Sequence, residues 1–554
     1  MTTEVIDHDD DAHLYDCLVV GGGISGCTLA HNLYASHDLD VLLCESDDRL
    51  GGNVRSVTVE DEDGSFLYED GPNSFEASPS IMRISRELNL EDEMVFAPEG
   101  SVSPWIYHGG KVHPLPTAKG TFFGPGGMMR FILFGDLLSW RGKMRVFVGA
   151  FLGHAPPPVD GGEETIEDFA IRTLGEEAFH RIIEPIVSGV YCGDPSRLSA
   201  RSTLPKFSRM EEKAYDLGWN KFGALFYGGL AIRRAESKES TRERHDEAGD
   251  PPSGLEYGRP GSYRTGLAAL PNAIAAELGT ARVRLRWTLT NVEKAVEGRA
   301  YVATFDTPGH DGIRQRTVRA RTVILTIPAH AIRAALDKVL PGSAKLFSGE
   351  RRDSAGGVSY PPVASVTLSY PKSSFRDVEL ADRSGSLRDL PGFGVVSTRS
   401  SGVQRTLASL FSSSHFPGRC PDGCNLLSNT IGGTRDPAVG AMSDDDLVSA
   451  VDEDLRKILL RPDAPPPKVL GVKTWPRAIP QYELGHSELI AELKRMEDAN
   501  DGGGLWVCGN YRTGVSFVNC VNFGYEHAKV VAGHLSSETK MINETPSLTQ
   551  PPYA

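Results

Sequence analysis

The hydrophobic pattern of the chain begins with a short apolar run at residues 16–20, of the kind that forms a buried β-strand. Three consecutive glycines, Gly21, Gly22 and Gly23, follow at once, and residues 27–34 then have helical composition. A second apolar run at 41–45 predicts another strand. The order strand, glycine turn, helix, strand predicts the first βαβ unit of a dinucleotide-binding fold.

The glycine turn has the spacing of a phosphate-binding loop. The first glycine, Gly21, permits the tight turn, Gly23 lets the backbone approach a pyrophosphate at the helix N-terminus, and Gly26 allows the helix to pack closely on the strand. Glu45 lies 19 residues beyond Gly26, at the end of the second strand. A carboxylate at this place accepts hydrogen bonds from an adenosine ribose, so strand, helix and acid all agree with the motif.

Other segments outline the rest of the chain. Four further apolar or alternating runs predict strands, at 282–287, 323–328, 365–370 and 426–431. The last two suggest an antiparallel sheet in a second domain. Near the C-terminus, residues 504–510 read as a strand ending in glycine, and a helical run at 518–534 follows. The chain is therefore expected to return to the dinucleotide-binding domain. Residues 235–262 are polar and rich in turn formers, which predicts a surface loop.

Composition excludes several classes of protein. Of the 554 residues, 40% are hydrophobic, which is enough for large cores and argues against a disordered chain. The net charge of −15 argues against general nucleic-acid binding. Eight scattered cysteines do not form a disulfide framework. Cys420 and Cys424, with His415 upstream, lack a second ligand pair, so we predict no metal.

Targeting and membrane signals are weak. Residues 1–14 are acidic and resemble neither a secretory signal nor a transit peptide, and no apolar run is long enough to span a bilayer. Residues 128–153 are rich in large apolar side chains but contain five charged ones, Arg130, Asp136, Arg141, Lys143 and Arg145. This composition fits a core helix pair and an interfacial membrane helix about equally well.

The residues after Glu45 indicate which dinucleotide is bound. Glu45, Arg49, Gly51 and Gly52 form an E-x-x-x-R-x-G-G run, which resembles the extended fingerprint of flavoproteins of the amine-oxidase superfamily. That resemblance implies FAD, with Arg49 and the two glycines on its pyrophosphate side. The sequence has no second strand, glycine motif and helix of this kind, so we predict one FAD and no nicotinamide site.

A more specific resemblance covers residues 16–535. The chain resembles the protoporphyrinogen oxidases of the plant plastid type through seven segments: 69–75, 184–196, 360–364, 392–394, 411–417, 430–433 and 475–481. The resemblance implies an α/β plus α+β fold with three domains. They are a discontinuous Rossmann-like FAD-binding domain (14–100, 262–335 and 495–540), an antiparallel-sheet substrate-binding domain (101–119 and 336–494) and a helical membrane-binding domain (120–234). Residues 235–261 are then a surface loop, and 1–13 and 541–554 are flexible termini.

The resemblance also implies an activity. Protoporphyrinogen IX would be oxidised to protoporphyrin IX by hydride transfer to FAD, and O2 would reoxidise the flavin with formation of hydrogen peroxide. It favours a peripheral membrane contact through 128–153 and an organellar membrane, a plastid rather than a mitochondrion. The resemblance also allows two further partners: a second copy of the chain in a homodimer, and a chelatase that receives the product.

Site residues follow from the same resemblance. Because the flavin carries the chemistry, no catalytic side chain is expected. Substrate-binding positions fall on Cys192, Gly193, Val363 and Phe393, with Phe393 stacking on a pyrrole ring. FAD-binding positions fall on Gly21, Gly22, Gly23, Ile24, Ser25, Gly26, Glu45, Ser46, Arg49, Gly51, Gly52, Asn53, Gly71, Pro72, Asn73, Leu289, Trp475, Gly509, Val515, Ser516 and Phe517.

The chain departs from the plant pattern in two places. Val518 and Asn522 stand where glycine and glutamate are usual, which makes the flavin contacts near the C-terminus less secure. Pro104 stands where the family commonly has an arginine that pairs with a substrate propionate. We therefore expect that propionate to lie in water or to pair with another cation.

Three alternatives to this activity stay open: an amine oxidase, a carotenoid desaturase, and a flavin-bearing tetrapyrrole carrier that does not turn over. The 184–196 segment speaks against the first two, because it is typical of the protoporphyrinogen oxidases.

Overall fold

In the computed structural model, the described residues are 13–98, 104–115, 135–153, 155–157, 162–218, 229, 255–296, 299–309, 312–332, 335–347, 357–380, 383–386, 390–500 and 503–544. They form two compact units, each built from separated stretches of the chain. Unit 1 comprises 1–52, 271–348 and 490–554, and unit 2 comprises 53–270 and 349–489. The three-domain division remains a prediction; in this two-unit division residues 53–100 belong to unit 2.

The β-strands of the described residues, in chain order, are β1 (Leu14–Val20), β2 (Val41–Cys44), β3 (Ser56–Asp61), β4 (Gly64–Glu69), β5 (Phe75–Glu76), β6 (Met94–Phe96), β7 (Pro104–His108), β8 (Lys111–Pro114), β9 (Pro260–Tyr263), β10 (Val283–Arg284), β11 (Thr288–Lys294), β12 (Tyr301–Gly309), β13 (Gly312–Leu325), β14 (Val363–Pro371), β15 (Asp377–Leu380), β16 (Arg383–Ser386), β17 (Gly394–Ser397), β18 (Thr406–Phe411), β19 (Cys424–Gly432), β20 (Lys468–Trp475) and β21 (Leu505–Val507).

The α-helices of the same residues are α1 (Ile24–His37), α2 (Pro79–Glu87), α3 (Trp140–Phe147), α4 (Ile166–Thr173), α5 (Glu176–Ala178), α6 (Glu184–Tyr191), α7 (Ala200–Thr203), α8 (Pro205–Asp216), α9 (Ala269–Arg282), α10 (Ala329–Ile332), α11 (Ser343–Phe347), α12 (Ser412–His415), α13 (Asp444–Ile458), α14 (His486–Ala499), α15 (Asn510–Thr513) and α16 (Phe517–Glu544). Two π-helical turns, Val148–Leu152 and Phe179–Ile183, continue α3 and precede α6.

Unit 1 is built on a mixed sheet. The parallel strands of this sheet lie in the order β10, β2, β1, β13 and β21. The N-terminal part of β13 pairs antiparallel with β12, and β12 pairs antiparallel with β11. Strands β1 and β2 are almost wholly buried apolar residues, as expected for parallel strands covered on both faces. The predicted βαβ unit is confirmed as β1, α1 and β2. The predicted C-terminal strand and helix are confirmed as β21 and α16.

Unit 2 is built on a seven-stranded sheet with the order β20, β14, β19, β18, β17, β7, β8. The predicted strands at 365–370 and 426–431 lie in β14 and β19, which pair antiparallel. Strands β17 and β7 pair parallel, so the expectation of a purely antiparallel sheet is wrong at that one pair. One face of the sheet is buried under α13 through Leu447, Val451 and Leu455, in a core that includes Trp105 and Val366.

Two sequence predictions need correction. Only Val283–Arg284 of the run 282–287 is a strand, because the backbone of 284–287 bends around the end of β2. There the N–H of Glu45 donates to Arg284 O and that of Trp287 donates to Glu45 O, both at 2.8 Å. The loop predicted at 235–262 lies largely outside the described residues. Its end is not a loop, because residues 260–263 form β9, which pairs with β5 and β6.

The helical part of unit 2 covers the other face of its sheet at one end. Residues 140–152 form one continuous helical segment. Residues 128–134, which the first helix of the predicted pair would need, lie outside the described residues, so the helix pair stays a prediction. Leu137, Leu138 and Val146 pack with Ile106 of β7 in one buried cluster, to which Val396 of β17 contributes. In the described part of the chain, no helix combines the length and apolar composition needed to cross a bilayer.

Candidate functional site

The glycine turn of unit 1 leaves an open space at the start of α1. Gly21 has φ 107° and donates its N–H to Cys44 O at 2.8 Å. Gly23 is the N-cap of α1, with φ −68° and no capping side chain. A Cβ atom built on Gly23 would meet no atom within 4 Å, whereas one on Gly26 would lie 1.9 Å from Gly21 O. Gly26 is thus needed for the helix to pack, and the space beside Gly23 is available to a ligand.

Glu45 ties the end of β2 to this turn. Its Oε2 accepts a hydrogen bond from the Gly22 N–H at 2.5 Å, and its Oε1 accepts from the Asp47 N–H at 2.8 Å and from the Ser46 hydroxyl at 3.0 Å. The side chain is buried against the turn. The carboxylate therefore lies beside the glycine turn, where an adenosine ribose lies in folds of this type.

A second glycine pair packs directly on the first. Gly51 donates its N–H to Gly22 O at 2.7 Å, and a Cβ atom on Gly52, which has φ 56°, would lie 3.1 Å from the Gly23 Cα. The Arg49 guanidinium donates to Gly52 O at 2.7 Å and to Leu50 O at 3.1 Å. Arg49 thus stabilises the loop that carries these glycines.

The N-terminus of α16 lies beside that of α1. The Cys520 thiol, one turn into α16, is hydrogen-bonded to Ser25, the second residue of α1, and burial raises the pKa of this thiol. Further along, a Cβ atom on Gly524 would lie 2.5 Å from Thr28, so the two helices are in close contact. Val515, Ser516 and Phe517, at the start of α16, are therefore brought to the same side of unit 1 as the glycine turn. Ser516 caps the helix, because its Oγ accepts the Asn519 N–H at 3.1 Å.

Two more predicted residues of unit 1 flank these features. Leu289 follows the bend that pairs with Glu45, and it lies at the start of β11. Gly509 follows β21, and a Cβ atom there would lie 2.6 Å from Ile327 O. The N-terminus of α1, which no side chain caps, the N-terminus of α16, an open space beside Gly23 and a nearby carboxylate together fit the pyrophosphate and ribose of FAD. These residues would hold the adenosine half of the cofactor.

In unit 2, the segment after β4 crosses the face of the sheet opposite α13. The Trp475 indole N–H donates to Asp70 O at 3.0 Å, and the Asn73 amide donates to Ser412 Oγ at 3.1 Å and to Ser428 Oγ at 3.2 Å. A Cβ atom on Gly71 would lie 2.0 Å from Asn53 O. The segment thus connects Asn53, Gly71, Asn73 and Trp475, while Pro72 is exposed at its turn.

Three of the predicted residues meet in one apolar cluster of unit 2. Cys192 and Val363 are buried together with Ala478, and Trp475, Leu407 and Ile479 pack against them. Val363 is paired in register with Trp475, so the two side chains share one face of the sheet. The cluster is therefore buried at its centre and partly exposed at Trp475, Leu407 and Ile479.

Cys192 ends α6 in a left-handed conformation with φ 51°, and burial raises the pKa of its thiol to about 12. A thiol with so high a pKa is a poor nucleophile. Its neighbour Gly193 is tightly enclosed, because a Cβ atom there would lie 2.3 Å from the Gln481 amide oxygen. Both residues of this turn are buried.

Phe393 lies just before β17 and outside the cluster of Val363. It is partly buried, and its ring lies 4.7 Å from that of His415 at an interplanar angle of 34°. Pro104 begins β7 and is paired in register with Gly394, the residue after Phe393. The position at which an arginine was expected is therefore next to Phe393.

Sequence reasoning missed some residues that shape the site. Thr326 donates its hydroxyl to Val20 O at 3.0 Å and to Gly21 O at 2.9 Å, which fixes the glycine turn on the end of β13. A strand-to-turn junction after 323–325 was the available signal. Asp70 holds Trp475 through its carbonyl oxygen, and a main-chain role of this kind leaves no sequence signal. Within the described ranges, no group of three metal-ligating side chains occurs.

Comparison with known proteins defines the class. A family model described as flavin containing amine oxidoreductase matches residues 24–532. A solved structure described as a putative protoporphyrinogen oxidase from Exiguobacterium sp. 255-15 has a similar fold, with a TM-score of 0.65 and 21% identity over 94% of this chain and 98% of that one. The chain belongs to the flavin containing amine oxidoreductases, and it is an FAD-dependent oxidoreductase.

Curated relatives narrow the class further. The chain is 38% identical to the chloroplastic protoporphyrinogen oxidase of Oryza sativa subsp. japonica, over 94% of this chain and 89% of that protein. It is also 38% identical to the chloroplastic protoporphyrinogen oxidase 1 of Spinacia oleracea, over 94% of this chain and 84% of that protein. Identity at this level along nearly the whole chain places it within the protoporphyrinogen oxidase family.

Proposed function

We propose that the protein oxidises protoporphyrinogen IX to protoporphyrin IX. The single observation that carries this proposal is the apolar wall of Cys192, Val363 and Trp475 in unit 2, in a chain of the protoporphyrinogen oxidase family. The substrate is a large apolar macrocycle, and such a wall binds it through buried area rather than through charge. When bound, FAD would accept one hydride in each of three rounds, and one O2 per round would take the two electrons to form hydrogen peroxide, which accounts for the six electrons removed.

In this scheme the residues of the chain bind and orient the cofactor and the substrate. The glycine turn and the N-terminus of α1 hold the pyrophosphate, and Glu45 holds the ribose. The buried Cys192 thiol, with its pKa raised to about 12 by burial, stays protonated and offers no competing nucleophile. Phe393 and Val363 lie against the macrocycle, and Phe393 stacks on one pyrrole ring.

The test uses the purified, FAD-loaded protein without oxygen. Protoporphyrinogen IX should bleach the visible flavin band, and admission of air should restore it with formation of porphyrin and peroxide. Benzylamine, as a representative amine, should cause no bleaching. If only the amine bleaches the flavin, the protein is an amine oxidase; bleaching by neither, with porphyrinogen bound, would make it a carrier.

We also propose that the helical segment 140–152 contacts an organellar membrane, that of a plastid. Large apolar side chains recur at every fourth position and are exposed by 71% for Trp140, 42% for Met144, 38% for Val148 and 60% for Leu152. Residues four apart share one helix face, so this stripe faces outward. An exposed apolar stripe flanked by basic residues is typical of a helix that lies in the membrane interface.

The four basic residues of 128–153 have the charge that attracts anionic lipid, but they do not all contribute to such a contact. Arg141 is exposed and Lys143 partly so. Arg145 has another role, because its guanidinium donates to the carbonyl oxygens of Ile171, Arg172 and Thr173 at 2.7–3.3 Å and so caps the end of α4. Arg145 is therefore not expected to bind lipid, and Arg130 lies outside the described residues.

Sedimentation with anionic vesicles tests the membrane contact. Replacing Trp140 and Leu152 by serine should lower vesicle binding at least about tenfold, since burying each such side chain contributes about 1.5–3 kcal/mol. Ile313→Ser, at another exposed apolar side chain, is the control and should have no effect. Unchanged binding of the double variant would refute this contact. A homodimer and transfer of product to a chelatase remain predictions.

A further inference from the structure

One arginine connects the two ends of helix α6, which leads into the turn at Cys192. The Arg435 Nη1 donates to the Glu184 carboxylate at 2.8 Å and to Ser188 Oγ at 3.4 Å, and its Nη2 donates to the Asp194 carboxylate at 2.7 Å. Glu184 begins the helix, and Asp194 lies just beyond its end. A single guanidinium thus fixes the start of the helix and the residue after the turn.

The residues before Arg435 hold the turn itself. The Thr434 N–H donates to Cys192 O at 2.9 Å. Gly433 has φ 84°, and a Cβ atom on it would lie 2.2 Å from the same oxygen. Three consecutive residues after β19 therefore contact both ends of α6 and the carbonyl of the left-handed Cys192.

The Glu184 carboxylate cannot turn to water when this contact is broken. Its side chain is only 3% exposed, and it also accepts from the Arg399 Nε at 2.7 Å and from the His180 Nδ1 at 3.3 Å. Arg435 is 21% exposed and Asp194 20%. Arginine suits such a place, because its planar fork can bind two carboxylates at once, whereas lysine offers a point charge.

We propose that Arg435 is a positioning residue that holds the Cys192–Gly193 turn in place as a wall of the substrate site. This inference rests on the proposed oxidation of protoporphyrinogen IX. It gives a physical reason for two acids of the 184–196 segment, since Glu184 and Asp194 bind the same guanidinium. Loss of that guanidinium frees the turn and weakens the fit to the macrocycle, while the flavin and its chemistry are unaffected.

The test compares steady-state kinetics of the holoenzyme with protoporphyrinogen IX. Arg435→Gln should raise KM about tenfold, equivalent to about 1.4 kcal/mol of binding. The kcat, the FAD content and the flavin spectrum should stay within about twofold of wild type. Arg435→Lys should recover part of the loss. The control is Arg201→Gln, which removes an exposed pair with Glu212 at 2.8 Å and should change nothing.

A second readout follows the turn without turnover. Iodoacetamide labelling, mapped by mass spectrometry, should become faster at Cys192 in Arg435→Gln and stay unchanged at Cys27, which is buried in unit 1. Asp194→Asn, which keeps the Glu184 contact, replaces Arg435→Gln if the latter does not fold, and should shift KM in the same direction.

The outcomes separate the two proposals. A wild-type protein that does not oxidise protoporphyrinogen IX overturns the proposed function. Wild-type turnover together with an unchanged KM in the Arg435 variants, or an equal fall of kcat at constant KM, overturns the positioning role alone. Unchanged labelling of Cys192 would also count against it.

Discussion

Replacing Gly23 by alanine should separate cofactor binding from folding. At φ −68° an alanine is unstrained, and its Cβ would meet no protein atom within 4 Å. The fold should therefore tolerate the change, with an unfolding free energy within about 0.5 kcal/mol of wild type. The methyl group would instead occupy the space in which the FAD pyrophosphate is expected at the N-terminus of α1.

The loss in FAD affinity can be estimated from the contacts at risk. A hydrogen bond from a backbone N–H to an anionic oxygen contributes about 1.5–3 kcal/mol. Displacing the pyrophosphate by the width of one methyl group breaks at least one such bond. A loss of about 1.4 kcal/mol in binding free energy raises the dissociation constant tenfold. We expect the Kd for FAD to rise about 10- to 150-fold for each bond lost.

The assay is titration of apoprotein with FAD, followed by flavin fluorescence, beside thermal unfolding of the apoprotein. Gly26→Ala is the matched comparison, because its Cβ would lie 1.9 Å from a backbone oxygen and overpacking of this kind costs about 1–3 kcal/mol. It should lower the melting temperature of the apoprotein, whereas Gly23→Ala should not. An unchanged Kd for Gly23→Ala, or equal destabilisation by both variants, would refute the assignment of this space to the pyrophosphate.

Three further predictions concern other residues. Pro104→Arg should tighten binding of a carboxylate-bearing inhibitor by up to about 1.5–3 kcal/mol, less if solvent screens the pair, and leave an uncharged inhibitor unaffected; equal affinities before and after would contradict it. Burial, helped by the Arg512 charge, lowers the pKa of His527 to about 4 from 6.5. Since the unfolded chain then binds the proton more tightly, the free energy of unfolding should fall by about 3 kcal/mol at most as pH drops from about 6.5 to 4. Urea unfolding of His527→Gln should lack this part of the pH dependence. Glu69→Gln leaves the buried Arg419, 3.2 Å away, without its charge partner and should cost about 3–5 kcal/mol in thermal unfolding; a loss below about 1 kcal/mol would be inconsistent with an obligatory pair.

Local patterns in the sequence were enough for the elements that begin the cofactor site. The βαβ unit was predictable, because a buried parallel strand is a continuous apolar run and a glycine turn needs glycine at fixed places. The same holds for β14, β19 and α16. Short-range backbone geometry decides these elements, so the residue types themselves carry the signal.

Contacts between distant stretches decided the rest. Residues 284–287 bend instead of continuing a strand because their backbone pairs with Glu45 and Asp47. Arg145 looks like a lipid-binding cation in sequence, and tertiary structure uses it to cap a helix 26–28 residues away. Arg435 and Glu184 are 251 residues apart. A pair so far apart produces no periodicity in the chain. Only tertiary packing, with α6 against β17 and β18, makes the two side chains neighbours.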